Sequence, residues 1–488
     1  MPNIKKENGI TVIALILMII LMLILVGASI SIIVGDDGVV EETKIVIGNA
    51  EIKSLKESIR EEIKKEEIKA KITGKEVDAD TIRKIISGYS NLNYNEEEGY
   101  IYIEKSDETQ EVFINVNDVI RKTTNADMDL DTMVAKIGTE YFETLQSAIN
   151  SSSEDGTEQK IKVLRNINES ITISSTKNIE IDLSGHEISN INNVVTNQGT
   201  ITIKNGKVTS ESGKAIYNEG KATIDGGKLT SKSSNVIVNV SGGILTIKGT
   251  SKINSSAAEN STISNKTNST LIIDGGTINS DYKETINNAS GATLTINNGT
   301  FYTESYRTIT NEGTLTINGG NFTSDSSNAL YNKALGNITI MGGTINSTSA
   351  QAIHNYGNII INGGTISSQS NYTLYNRVGG TATINGGTIS SELSNAINNF
   401  GTVEINGTST QISSISDNYA TVRNKSSATV TINGGNISAT NYYAIENNSG
   451  GTATITAGNI SSTNSYAIYN EGTATVSGAN ITGQTYGI

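Results

Sequence analysis

The sequence predicts a mainly β protein whose body is a right-handed parallel β-helix of three-strand coils, preceded by an apolar helix and a small α+β unit. Three observations carry that prediction. A short motif ending in Asn recurs every 21 to 26 residues from Asn197 to Asn470, and a strand ending in Ile recurs in step with it. The composition is that of strands and tight turns: Gly 48, Pro 1, Cys 0 and Trp 0 in 488 residues, with Asn, Ser, Thr and Ile in excess. At this length one ordinary core is exceeded, and the regular recurrence of Ile, Val and Leu separates the chain from disordered low-complexity tracts.

Without Cys no disulfide framework exists, so stability has to come from backbone ladders and stacking. A formal charge of −13 argues against a nucleic-acid partner, which would need clustered Lys and Arg on one face. The densest basic run, Lys64, Lys65, Lys69 and Lys71, is interleaved with Glu and reads as a solvated helix.

Taken in order, residues 1–9 form a short basic leader with Lys5 and Lys6. Residues 10–34, ITVIALILMIILMLILVGASISIIV, carry no charge and span about 37 Å as a helix, enough to cross a bilayer. The flanking lysines hold the amino terminus inside and place the remainder outside, which predicts a single-pass membrane protein with an extracellular bulk. A cleaved secretory signal would have a shorter apolar stretch. The run KKENG-ITVIALILMIILMLILVGASIS resembles the prepilin-type leader of type IV pilin-like proteins. The resemblance implies cleavage between Gly9 and Ile10 by a prepilin peptidase and association with pilus subunits. In place of the Glu usual at the fifth mature position this chain has Ala14, so a plain membrane anchor and a pilus or pseudopilus subunit both stay open.

Residues 35–72 are expected to be a stalk helix, with Ile52, Leu55, Ile59, Ile63 and Ile68 near helical spacing among Glu and Lys. Residues 73–125 read as a small α+β spacer: a helix in DADTIRKII capped by Asp80, then two strands about a turn at Ser106 and Asp107. Residues 126–160 form a linker and the amino-terminal cap of the solenoid, with a helix near Thr144 to Ser151. The solenoid itself runs over residues 161–488, and the chain stops inside a coil, before its next motif Asn.

The Asn series is Asn197, Asn218, Asn239, Asn265, Asn288, Asn311, Asn332, Asn355, Asn376, Asn399, Asn424, Asn447 and Asn470. The Ile series is Ile203, Ile224, Ile247, Ile273, Ile296, Ile317, Ile340, Ile361, Ile384, Ile405, Ile432 and Ile455, then Val476. In the unit from Gly313 to Asn332, Leu315 and Ile317 point inward on one strand, Phe322 on the next and Leu330 on the third, with corners such as Asn318-Gly319-Gly320 adopting positive φ. One coil buries too little apolar surface to offset its ordering entropy, so coils must stack. Fourteen or so coils at about 4.8 Å give a rod roughly 65 Å long, with the Asn side chains forming an internal amide ladder.

The solenoid, with its lead-in from Val134 to Ser189, resembles the pectate-lyase-like right-handed parallel β-helices of bacterial surface proteins. That resemblance implies the fold, but the family holds lyases, hydrolases and inert adhesins alike. A lyase would need a Ca²⁺-binding carboxylate cluster beside a basic residue, and a hydrolase a carboxylate pair or triad. Asp225 and Asp274 lie two coils apart with Lys248 between them, and read as turn formers. His186 and His354 fall at solvent-facing or turn positions without metal-ligand spacing, and Arg307, Arg377 and Arg423 are scattered without carboxylate partners on adjacent coils. No catalytic residue, metal or cofactor is therefore expected.

Tyr is the more suggestive residue. Tyr217, Tyr331, Tyr375 and Tyr469 precede the motif Asn, while Tyr306, Tyr372, Tyr419, Tyr443 and Tyr466 fall four or five residues before it. Stacking between coils explains such a row; the sharper expectation is a glycan-contact edge carried by Tyr306, Tyr372, Tyr443 and Tyr466. The leading expectation is a non-catalytic, adhesin-like or structural surface rod. The alternatives are a pilus-associated subunit and a polysaccharide lyase or hydrolase of the same fold.

Overall fold

The structure, a computed structural model, describes residues 132–484 without a break and residues 54–119 with short gaps. The expected membrane segment 10–34 and the processing site Gly9 and Ile10 lie outside the described residues. Among the described residues no helix is long and apolar enough to cross a membrane. Two compact units divide the chain at Met128/Asp129.

In the first unit, residues 54–67 are helical and bury Ile59 and Ile63 in one apolar cluster with Ile82, Ile86, Ile101, Phe113 and Ile114. Part of the expected stalk thus contributes to the core of the spacer. The short helix Ala79–Ile86 is capped by Asp78, not by Asp80 as the sequence suggested. Asp78 is extended and accepts a hydrogen bond from the Thr81 amide at 2.9 Å, and Asp80 sits in the first turn. Its sheet has three antiparallel strands, Leu92–Asn95, Tyr100–Glu104 and Gln110–Asn115, one more than expected. The extra strand pairs Leu92 with Ile103 and Asn95 with Tyr100, closing over a turn at Gly99.

The second unit is a parallel β-solenoid. Each coil supplies three strands, as in Leu330–Asn332 (the Asn strand), Asn337–Ile340 (the Ile strand) and Thr344–Ser347 (the Ser strand). Equivalent strands of successive coils pair in parallel and in register: Leu330 with Ile353, Leu315 with Ile338, Phe301 with Phe322. The 13 Asn strands and the equivalent strand Ile171–Ile173 form a sheet of 14 strands. The Ile and Ser strands join into a second sheet, because Thr429–Ala439 and Thr452–Ser462 run unbroken through the glycine corner between them.

Period-2 alternation fills the interior. The Ile strand turns Leu315 and Ile317 inward, the Ser strand Phe322 and Ser324, and the Asn strand Leu330 and Asn332, all essentially fully buried. Repeating identical types in register stacks like on like, and the Phe301 and Phe322 rings lie 4.6 Å apart and nearly parallel.

Two corners depend on glycine. At Asn318-Gly319-Gly320 only Gly320 has positive φ, 100°, whereas Gly319 is needed for space, since a Cβ there would meet the Asn297 carbonyl at 2.8 Å. At the corner after the Asn strand, a Cβ on Gly336 would lie 2.1 Å from Asn332 Oδ1. That corner also explains the two common repeat lengths. Asn311 reaches its glycine, Gly313, in two residues and the next Asn follows 21 residues on. Asn332 takes four residues to Gly336 and the next Asn follows after 23.

The amino-terminal end is closed by the helix Leu145–Ser151, N-capped by Thr144, which buries Leu145, Ala148 and Ile149 against the first coil. Two side chains finish the seal. Glu169 accepts the Leu145 and Gln146 amides at 2.9 Å each, and the Gln146 side-chain amide receives the Thr172 N–H at 2.7 Å and donates to the Thr172 carbonyl at 3.1 Å. Gln146 thereby supplies the pairing that the first Asn-type strand, Ile171–Ile173, would otherwise lack on that side.

Candidate glycan-contact face

The Asn residues come together as one buried column. Each Nδ2 donates to the Oδ1 of the next Asn at 2.7–2.9 Å, from Asn197 through to Asn470, with no link missing. The second proton of each amide serves backbone carbonyls, as when Asn355 donates to Gly357 and to Thr381 at 3.0 Å. The column starts at Asn197 because Ile173 holds the corresponding place one coil earlier, which leaves Asn197 Oδ1 without a donor among the described residues.

A second polar column was missed in the sequence. Eight residues before most motif Asn stands a buried Ser or Thr. Ser324 Oγ donates to the Tyr306 carbonyl at 2.7 Å and accepts the Ser327 amide at 3.2 Å; Ser347 and Ser368 repeat the pattern. The fixed offset was visible, but Ser is so abundant in this chain that it did not stand out.

Carboxylates and cations in the solenoid pair from coil to coil. Asp225 meets Lys248 at 3.3 Å, and Asp274 accepts from Asn297 at 2.5 Å. Arg423 corrects the sequence reading: it has an adjacent-coil partner, Glu446, at 3.1 Å, the two being directly in register. Among the described residues no group of three His, Asp or Glu gathers as a metal site would require.

Most of the outward tyrosines gather in two groups rather than one row, with Tyr217 and Tyr419 in neither. In the first, Tyr331, His354 and Tyr375 occupy the outward position of three successive Asn strands, with Tyr356 and Phe400 two residues further along their own coils. Ring centroids lie 5.2 Å apart for Tyr331 and His354, 5.0 Å for His354 and Tyr356, 4.9 Å for His354 and Tyr375, and 5.6 Å for Tyr375 and Phe400. Tyr372 joins through Tyr375 at 5.2 Å, and Tyr306 through Arg307, whose guanidinium lies 4.9 Å from the Tyr306 ring and 3.8 Å from that of Tyr331. Arg377 lies over Tyr356 and Tyr375 at 5.3 and 4.9 Å, and Lys425 over Phe400 at 5.9 Å.

The second group is Tyr442, Tyr443, Tyr466 and Tyr469, with Tyr443 4.9 Å from Tyr469 and 6.0 Å from Tyr466. Between the groups, Asn395 and Ala420 take the register of Tyr372 and Tyr443, which breaks the row.

His354 is the second correction. It points away from the core as expected but is only half exposed, because rings from its own coil and from both neighbours pack around it. Burial, reinforced by Arg377 and Arg307, pulls it down to about 4. Burial, together with the hydroxyl of Tyr442, pushes Tyr443 up to about 12, and a hydrogen bond to Asp325 raises Tyr302 to about 12. Burial and then Arg423 lower Lys425.

The fold defines the class: a parallel β-solenoid of about 14 coils with polar ladders inside it. Comparison with protein-family models, with curated proteins and with solved structures finds no match for this chain.

Proposed function

We propose that the chain is a non-catalytic surface rod of adhesin type, displayed from the membrane through residues 10–34. The observation that supports this reading is where the polar groups go. Interior amides and hydroxyls bond coil to coil, and the carboxylates of Asp225, Glu312 and Glu446 pair with cations of an adjacent coil. An array built in that way offers rigidity and a long, evenly spaced surface. The pectate-lyase-like resemblance and the prepilin-like leader belong to the same reading, the one as its scaffold and the other as its route to the cell surface.

The test is to incubate the purified full chain with a panel of neutral and acidic polysaccharides, measuring both retention and product. Retention without new reducing or unsaturated ends is expected. Release of such ends from any polymer overturns the reading in favour of an enzyme.

A further inference from the structure

The outward surface of the 14-strand sheet is charged against the trend of the chain. From Tyr306 to Lys425, the Asn strands and their immediate flanks carry the cations Arg307, Lys333, Arg377, Arg423 and Lys425 and the single carboxylate Glu312, 5 − 1 = +4 in a chain of net −13. Lys333 is paired with Glu312, and Arg423 with Glu446 of the following coil. Arg307, Arg377 and Lys425 have no carboxylate partner among the described residues, and Arg307 Nε has no hydrogen-bond partner there. They alternate with aromatic rings at coil spacing, Arg307 and Lys425 flanking a band that contains Tyr331, His354, Tyr356, Tyr375 and Arg377.

Arg307, Arg377 and Lys425 are half-buried on this face without an ion pair of their own among the described residues, Lys425 lying in the field of both Arg423 and Glu446. Burial first, and then Arg377 and Arg307, lowers the proton affinity of His354 on the same face. Arg307 lies close over the Tyr331 ring, while Arg377 lies beside Tyr356 and Tyr375 and donates one N–H to the Tyr375 hydroxyl, and each guanidinium keeps further N–H donors for a planar anionic group. Along the axis, Arg307 and Arg377 are three coils apart and Arg377 and Lys425 two, roughly 14 Å and 10 Å. That is a repeated pattern of positive charge, suited to a polymer with an anionic group on successive units. The rings between offer apolar faces to sugar C–H groups.

We infer that this face binds an acidic polysaccharide, its carboxylate or sulfate groups received by Arg307, Arg377 and Lys425 and its sugar rings lying over Tyr356, Tyr375 and Phe400. The inference rests on the reading of the rod as a non-catalytic adhesive surface and specifies the ligand that this surface takes.

The experiment compares one backbone in three states: dextran, carboxymethyl-dextran and dextran sulfate, each immobilised, with the full chain as analyte. The two anionic forms should bind and neutral dextran should not, with carboxylate and sulfate told apart by which form binds more tightly. Arg307→Gln and Arg377→Gln should each weaken anionic binding about tenfold, as expected for one lost charge-assisted contact. Lys228→Gln and Lys252→Gln, exposed on Ser strands, should leave it unchanged. Arg377→Lys keeps the charge without the planar fork and should fall between wild type and Arg377→Gln, which holds the test open should the Gln variant fold poorly.

Equal binding to neutral dextran, no binding to either anionic form, or equal losses from the Lys228 and Arg377 variants would overturn the inference. The first of these leaves the adhesive reading standing. Cleavage of any of the polymers removes the adhesive reading itself.

Discussion

At the scale of single residues, the consequential groups are polar side chains held inside an apolar rod. Asn355 donates to Asn376, Gly357 and Thr381 and accepts from Asn332, all within 3.0 Å. Asn355→Ala should cost on the order of 3 kcal/mol, because it orphans buried acceptors and one donor, and the urea midpoint of the full chain reads it. His354 supplies a pH test. Its folded value of about 4 lies below the usual 6.5, so on acidification the unfolded chain takes up a proton before the folded one. Its contribution to stability is therefore complete above about pH 6.5, declines between there and pH 4, and is lost below it. His354→Tyr, a type already present at Tyr331 and Tyr375, should flatten that acid slope in unfolding midpoints measured at pH 7 and 4.5. The alternation of inward Ile and outward Thr was legible in the sequence, but the surroundings of His354 were not. Outward on a sheet was equated with exposed, and its cover comes from Tyr356 two residues on and from Tyr331 and Tyr375, 23 residues before and 21 after. Arg423 and Glu446 were separated by one coil in the same register, so their pairing could have been read once the Asn series was aligned.

At the scale of elements, corners and caps decide whether strands can stack. The Asn, Ile and Ser strands were foreseeable as three alternating segments per unit, whereas the division of labour between Gly319 and Gly320 was not, since a sequence shows that glycine is present but not whether φ or space demands it. The cap helix was expected, yet its seal was hidden, because Gln146 meets Thr172 only after the chain has turned a full coil. Gln146→Ala combined with Glu169→Ala should lower protection of the Ile171–Ile173 amides in hydrogen exchange at least tenfold, with little change beyond Asn239. Loss of protection spread evenly to Asn470 would show that the cap governs the whole array rather than its first coils.

At the scale of the solenoid, the repeat is modular. Removing residues 333–355 takes out one complete coil and leaves Asn332 followed by Tyr356 and Gly357, a corner of the short type. The shortened solenoid should keep its circular dichroism per residue, and X-ray scattering should show a contraction of about 4.8 Å. Removing residues 333–344 instead cuts a coil in mid-course and should unfold the neighbouring strands, as hydrogen exchange would show. The fold was legible at this scale because the Asn and Ile series keep step over hundreds of residues. The aromatic face was legible only in part: Tyr306 and Tyr372 were picked out, but Tyr356, Phe400 and the Arg377 between them belong to a different offset, one residue past the Asn.

The amide column has a direction. Every link runs from the Nδ2 of one Asn to the Oδ1 of the Asn that follows in sequence, so the side-chain dipoles add along the axis as peptide dipoles add in an α-helix. The carbonyl end lies at Asn197 and the amino end at Asn470. The solenoid is thus an electrically polar filament through neutral side chains alone, and no amide can turn over without its neighbours turning too. An Asp at any one rung could accept from behind but offer no proton ahead, and would cut a single long dipole into two.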